Sequence, residues 1–356
     1  MKNGPQIELR PSPHIHAPRD VVVIMRNVVL ATLPLIAFYV WQFGLSAIAH
    51  VAVITITCLL AERLANRLLG QASTLGDYSA VITALLLALT VPPSLPLWMG
   101  AVGAAAAIGL GKAFFGGLGL NVFNPALVGR AFITAAFPVA VNAWPPAYWE
   151  GRFGGFFPTT FTAPLMTPPD LGAWAAKANK AVDAVSGATP LAQMKFAHAQ
   201  QSAIDLFLHA DAGNVTGPPA ILIMLCGLYL AFRRMLDWRI PVSIMAFAAA
   251  FSAVFWLADP ARYPDPLFVL ASGGLMLGAW FMATDMVGSP VTPRGVVIYG
   301  ALIAVVTVVI RLFGGMAEGV MYAILLGNAA APLIDQYTTP RPFGARRGKK
   351  GGEDGP

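Results

Sequence analysis

Ten apolar stretches of about 15–22 residues, set off by glycine, proline or charge, leave this chain few ways to fold. They run near residues 28–49, 51–69, 78–93, 97–111 and 122–139, and again near 219–232, 241–257, 266–282, 295–313 and 319–334. A helix needs about 20 apolar residues to cross the hydrocarbon of a bilayer, and a lipid-embedded backbone must satisfy its own hydrogen bonds. Only 11% of the residues are charged, against about 25% in soluble globular proteins. The sequence therefore predicts an all-α polytopic membrane protein of about ten transmembrane helices in two sets of five.

Positive charge supplies the orientation. With the N-terminus inside, 16 Lys and Arg residues fall in the predicted cytoplasmic segments, Lys112 and Arg294 among them, and 6, including Arg152, Lys195 and Arg311, on the opposite side. Arg130 lies within a predicted span. This asymmetry predicts both termini in the cytoplasm and accounts for the net charge of +6 without a nucleic acid. The first twenty residues hold four prolines and no apolar core of a signal peptide.

The expected organisation is a cytoplasmic N-terminal segment over 1–27, a five-helix half over 28–140, a long periplasmic loop over 141–218, a second five-helix half over 219–336 and a basic cytoplasmic tail over 337–356. Gly119 to Pro125 near the fifth helix and Gly327 to Pro332 near the tenth share Gly, Asn and Pro. An odd number of helices per half turns such an echo into an inverted repeat.

The sharpest motif lies in the loop. Asp183-Ala184-Val185-Ser186-Gly187-Ala188-Thr189 resembles the D-x-x-(S/T)-G-A-T sequence at which a flavin transferase esterifies a threonine hydroxyl with FMN phosphate. Asp183, Ser186, Gly187 and Ala188 form the recognition sequence, and Thr189 is the nucleophile. Small residues let the hydroxyl enter the transferase, and the loop lies on the side where that enzyme acts. The plain alternative is a small-residue loop, but these positions coincide by chance in roughly one such chain in a thousand.

A second candidate is Asn121-Val122-Phe123-Asn124-Pro125-Ala126, following a glycine-rich run. Free amides and a proline at a helix start suit a discontinuous helix facing a ligand, or a cap at the membrane interface. Asp77, Ser79, Thr83, Arg130, Thr284, Asp285 and Asp335 are polar at or near membrane depth. For Asp77, Asp285 and Asp335 the better-supported expectation is a helix cap or a partner for Arg294 and Arg341. Cys58 and Cys226 are too few for an iron–sulfur cluster and are expected in the core. Five histidines show no metal spacing.

These residues together resemble a known family, the D subunit of the Rnf ion-translocating oxidoreductase complex, related to the B subunit of the sodium-translocating NADH:quinone reductase. The likeness extends from Ser12-Pro13-His14 through Asp77-Tyr78-Ser79, Asn121 to Arg130, Ser186 to Thr189, Trp238-Arg239-Ile240-Pro241 and Phe281 to Asp285 to Gly327–Asp335. It implies covalent FMN on Thr189 and electron relay in a translocase active only within its complex, which couples ferredoxin and NAD chemistry to ion movement across the bacterial inner membrane. It also implies membrane lipid, the other Rnf subunits, a second covalent flavoprotein in the periplasm and the maturing transferase as partners. A noncovalent riboflavin is implied near Asn121 and Asn124. Two departures stand out: Gly217 replaces a glutamate frequent in the family, and Met286 and Gly288 replace proline and serine. A secondary transporter without redox chemistry fits the ten spans equally well, and a passive scaffold is disfavoured by the flavinylation sequence.

Overall fold

The computed structural model describes residues 20–164, 166–178, 189–197, 202–208, 217–260 and 262–340. Helix α1 (Val21–Phe43) and α2 (Leu45–Leu68) meet at Gly44, six residues before the expected boundary. Gly44 turns the chain with φ +70°, and a Cβ there would lie 1.9 Å from the Arg152 carbonyl oxygen. That carbonyl accepts the Leu45 amide (2.9 Å), so the turn is fixed by a later segment rather than by local polarity.

Helix α3 (Ser79–Thr90) and α4 (Leu97–Gly111) match the expected third and fourth stretches closely. The fifth stretch is not continuous: an irregular segment precedes α5 (Pro125–Ala136), and Phe137-Pro138 separates it from the single turn α6 (Pro138–Asn142). Three short helices follow, α7 (Leu171–Ala178), α8 (Pro190–Ala197) and α9 (Ala203–Leu208).

The second half holds α10 (Ala220–Phe232), α11 (Arg239–Ala258), α14 (Pro293–Phe313) and α15 (Val320–Thr338) near their expected positions. Its middle stretch, expected as one helix over 266–282, is broken. It comprises α12 (Pro266–Ala271), a kink at Ser272-Gly273-Gly274, the turn α13 (Leu275–Leu277) and a π-helical turn over Gly278–Met282. Gly273, at φ +63°, permits the kink.

Among the described residues, five helices, α1, α2, α4 with its 3-10 extension, α11 and α14, are long and apolar enough to cross a membrane, and α3, α5 and α10 are shorter apolar helices. The polarity of α2 runs inside out. Ile56, Leu60 and Leu64 face outward at spacings of four, while His50, Glu62 and Asn66 are buried. Hydrocarbon around the molecule accounts for that arrangement: apolar side chains face lipid, while Glu62 and Asn66 find hydrogen-bond partners in the interior. With its many apolar helices, the chain is a multi-pass membrane protein.

Several contacts in the two halves run parallel. In the first, α2 packs on α3 and α4, α4 on α5, and α1 on α3; in the second, α11 packs on α12 and α14, α14 on α15, and α10 on α13 and the π-turn. Between the halves, α1 meets α10 and α5 meets α15. Glycine lets the longest contacts close up. A Cβ at Gly300 of α14 would come 1.9 Å from the Ser243 Oγ of α11, and one at Gly129 of α5 2.8 Å from the Gly103 carbonyl of α4.

Residues 143–178 pack over the α1–α2 and α3–α4 turns. The Phe157 amide donates to Ser46 Oγ (2.9 Å), the Leu97 amide to the Thr160 carbonyl (3.1 Å), and Trp174 meets Trp149 edge-on at 5.2 Å. Residues 190–197 and 202–208 pack instead on the second half, where Leu191 and Leu206 cluster with Phe268.

Candidate functional site

Asn124 builds the first site. Its Oδ1 accepts the Ala126 and Leu127 amides (3.0 and 3.4 Å), capping α5, and proline at the first helical position leaves no donor unmet there. Its Nδ2 donates to the Met282 carbonyl (3.2 Å) at the end of the π-turn. Its backbone amide is accepted by Asn328 of α15 at 3.1 Å, in the amide orientation that also satisfies Tyr299 and Ile324. The two Gly/Asn/Pro segments that echo each other in sequence therefore touch at the junction of the halves. Gly288 closes against them: a Cβ there would lie 2.6 Å from the Asn328 amide group, so serine would displace it.

Asn121 holds its own loop, accepting from the Gly119 amide and donating to the Phe123 carbonyl (both 3.3 Å). Asn121 and Asn124 both line a cavity of about 90 Å³ whose wall also includes Thr83, Lys112, Trp280 and Asp285. The π-turn presents Trp280 and Phe281 to this cavity, and such turns recur at functional sites.

Lys112, expected as a loop charge, is 4% exposed. Its Nζ donates to Glu62 Oε1 at 2.7 Å and to Ser79 Oγ at 2.5 Å. The Ser79 hydroxyl and amide donate to Asp77, and the Thr74 hydroxyl donates to Glu62. A buried chain of polar groups therefore runs from the 74–77 turn to the cavity wall. Glu62 Oε2 is buried and, among the described residues, without a hydrogen-bond partner.

Asp77, one residue before the N-cap Tyr78, accepts the Ser79 amide at the start of α3 (2.8 Å), whereas Asp285 accepts the Val287 amide (3.2 Å) within a turn and caps no helix. Burial pushes the Asp285 carboxyl above the ordinary carboxylate range, opposed by that amide. Asp335 uses its carboxylate on the Val291 and Thr292 amides (3.1–3.3 Å) rather than on Arg294. Arg341 lies outside the described residues, as do Asp183, Ser186, Gly187 and Ala188. Cys58 and Cys226 are free and buried.

Thr189 builds the second site. It caps α8: its Oγ1 accepts the Ala192 amide (3.1 Å), its carbonyl accepts the Gln193 amide (2.9 Å), and the residue is 9% exposed. Lys195 clamps this helix to the end of α14, donating to the Ile310 and Met316 carbonyls (3.1 and 2.9 Å). Thr189 thereby lines a cavity of about 500 Å³ with Arg130, Trp144, Phe196, Glu318 and Tyr322. Arg130 bonds Glu318 at 2.9 Å. Both also line an adjoining cavity of about 90 Å³ at the kink after α12, where Gly217 lies. The departure at Gly217 therefore falls beside this charged pair. Its φ of +149° suits glycine, although nothing would crowd a side chain there.

Arg311, counted as an outer charge from its position, is 2% exposed and donates to the Val269 and Ser272 carbonyls (2.6 and 3.0 Å). It satisfies the carbonyls that the kink frees. Sequence reasoning missed Glu62 and Glu318. The available signal for Glu62 is a lone acid in a 24-residue apolar helix.

The fold and these sites define an all-helical membrane protein with cavities on both sides of an asparagine-lined junction. The chain belongs to the NQR2, RnfD, RnfE family, whose model matches residues 8–344. It is 38% identical to the D subunit of the ion-translocating oxidoreductase complex of Alcanivorax borkumensis, over 96% of this chain and 97% of that protein. It is also 38% identical to the D subunit of the Na(+)-translocating ferredoxin:NAD(+) oxidoreductase complex of Acetobacterium woodii, over 95% and 96%. The corresponding protein of Yersinia pseudotuberculosis, a D subunit of an ion-translocating oxidoreductase complex, is 37% identical over 97% of this chain and its own whole length.

Proposed function

We propose that this chain is the D subunit of an ion-translocating ferredoxin:NAD oxidoreductase complex, relaying electrons through FMN esterified to Thr189. The observation that carries this reading is the position of Thr189, the last residue of the Ser-Gly-Ala-Thr sequence, on the wall of a cavity with one guanidinium and three aromatic side chains. The residues fit such a group: the rings suit a flat heteroaromatic system, the guanidinium suits a phosphate, and the volume suits a ligand of this size. When bound, the flavin supplies one- and two-electron chemistry, and the protein supplies its position and electrostatic surroundings.

In this reading ten spans form two inverted repeats. The matching contacts within each half, and the meeting of α1 with α10 and α5 with α15, support it. The charge asymmetry supports cytoplasmic termini and a periplasmic Thr189 in the bacterial inner membrane. The cavity at Asn121 and Asn124 is then the cytoplasmic one and the site of the second, noncovalent flavin, riboflavin; the cavity has to open beyond its present volume of about 90 Å³ to admit a ligand of that size. The other subunits of the complex, including a periplasmic covalent-FMN protein, are the electron partners, and a periplasmic transferase attaches the flavin.

The test is co-expression with a flavin transferase followed by denaturing electrophoresis. The parent chain is expected to carry in-gel flavin fluorescence, and Thr189→Ala to lose it while still inserting. Fluorescence that survives the substitution refutes the attachment site. A purified parent chain without flavin absorbance would favour a secondary transporter.

A further inference from the structure

We infer that Arg130 is the anion anchor of the Thr189 cavity and exchanges Glu318 for the phosphate of the flavin ester. The inference rests on the reading of Thr189 as the attachment point and adds the residue that binds the ligand's charge.

Charge balance around the cavity is the first argument. Glu318 is shared: its carboxylate meets Arg130 at 2.9 Å, and Glu318 Oε1 and the Arg311 guanidinium each lie 3.2 Å from the point where a Gly273 Cβ would stand. With Lys195, whose ammonium meets the Met316 carbonyl on the cavity wall, three cations stand against one carboxylate, an excess of two positive charges. An FMN phosphate esterified to threonine is a phosphodiester with one negative charge, which lowers that excess to one.

Availability is the second argument. Lys195 is committed to the Ile310 and Met316 carbonyls, and Arg311 to the carbonyls of the kink. Arg130 is the only cation among the described residues that line the Thr189 cavity. Its side chain is 15% exposed and that of Glu318 is 28% exposed, so the pair stands at the cavity edge, where water can solvate the released carboxylate. A guanidinium fork matches two phosphate oxygens better than an ammonium does. The amides of the first turn of α8, capped by Thr189, add a weaker attraction for the same group.

The test uses the full chain with Thr189→Asn, which keeps a capping side chain but offers no hydroxyl to esterify. The purified variant is saturated with riboflavin to fill sites that ignore phosphate, then titrated with FMN. FMN is expected to bind, and Arg130→Gln to weaken it by about 10- to 100-fold, the range for a hydrogen bond to a charged group. Arg130→Lys is expected to recover only part of the affinity. Glu318→Gln, which frees the guanidinium, is expected to tighten FMN binding, a gain that misfolding cannot produce. FMN binding unaffected by Arg130→Gln, or weakened by Glu318→Gln, would overturn the inference. In-gel fluorescence of Arg130→Gln with Thr189 intact reports attachment separately, so failure of the anchor and failure of the Thr189 reading are distinguished.

Discussion

Replacing Glu62 by glutamine leaves the Lys112 ammonium buried beside a neutral partner. The two side chains are 2% and 5% exposed, so water cannot take over the lost interaction. Removing one member of a buried ion pair costs about 3–5 kcal/mol. At about 2 °C per kcal/mol for a chain of this size, Glu62→Gln should lower Tm by about 6–10 °C. The double variant Glu62→Gln/Lys112→Met removes the stranded charge and keeps the Thr74 bond. It should return to within about 1–2 kcal/mol of the parent, because a buried pair contributes little beyond a well-packed neutral replacement. The assay is thermal unfolding of the detergent-solubilised chain across the four corners of the double-mutant cycle. Additive losses, or a Glu62→Gln Tm equal to that of the parent, would refute the buried-pair account. If the double variant is stable yet its affinity for riboflavin changes, Lys112 contributes to the cavity and not only to the fold.

Three further predictions follow from particular contacts. Gly300→Ala forces a methyl into Ser243 and should destabilise the α11–α14 contact by about 1–3 kcal/mol; Gly315→Ala, with open space around it, should change Tm little, and equal effects would refute the packing argument. Asp285 has its pKa raised in the folded chain, so the folded state gains stability as pH falls through that raised pKa toward the ordinary carboxylate value and is penalised above it. Asp285→Asn should accordingly raise Tm at pH 8, with the gain shrinking toward pH 5; a gain that is constant with pH would argue against the shift. Lys195→Gln should loosen α8 from α14, exposing Thr189 to faster attachment when the folded chain meets transferase, as read by the rate of in-gel fluorescence.

Much of this protein follows from its sequence alone, because the physics involved is local. A window of about 20 apolar residues selects a helix in lipid whatever surrounds it, so α4 and α10 fall within a residue of their expected limits. The cap at Asn124 depends on neighbours two and three residues away, and the Ser186–Thr189 sequence proposed for flavin attachment is contiguous. The tertiary structure decided the rest. The α1–α2 turn moved because the Arg152 carbonyl, more than a hundred residues later, occupies the space beside Gly44. The expected helix over 266–282 can break at Gly273 because Arg311, from another helix, donates to the carbonyls the break frees. Lys112 and Arg311, which read as flanking charges by position, are buried because Glu62 and the kink provide partners 50 and about 40 residues away. Hydropathy along a chain cannot register such pairings: the cost of burying a charge depends on what faces it in three dimensions, and that is settled only when the helices pack.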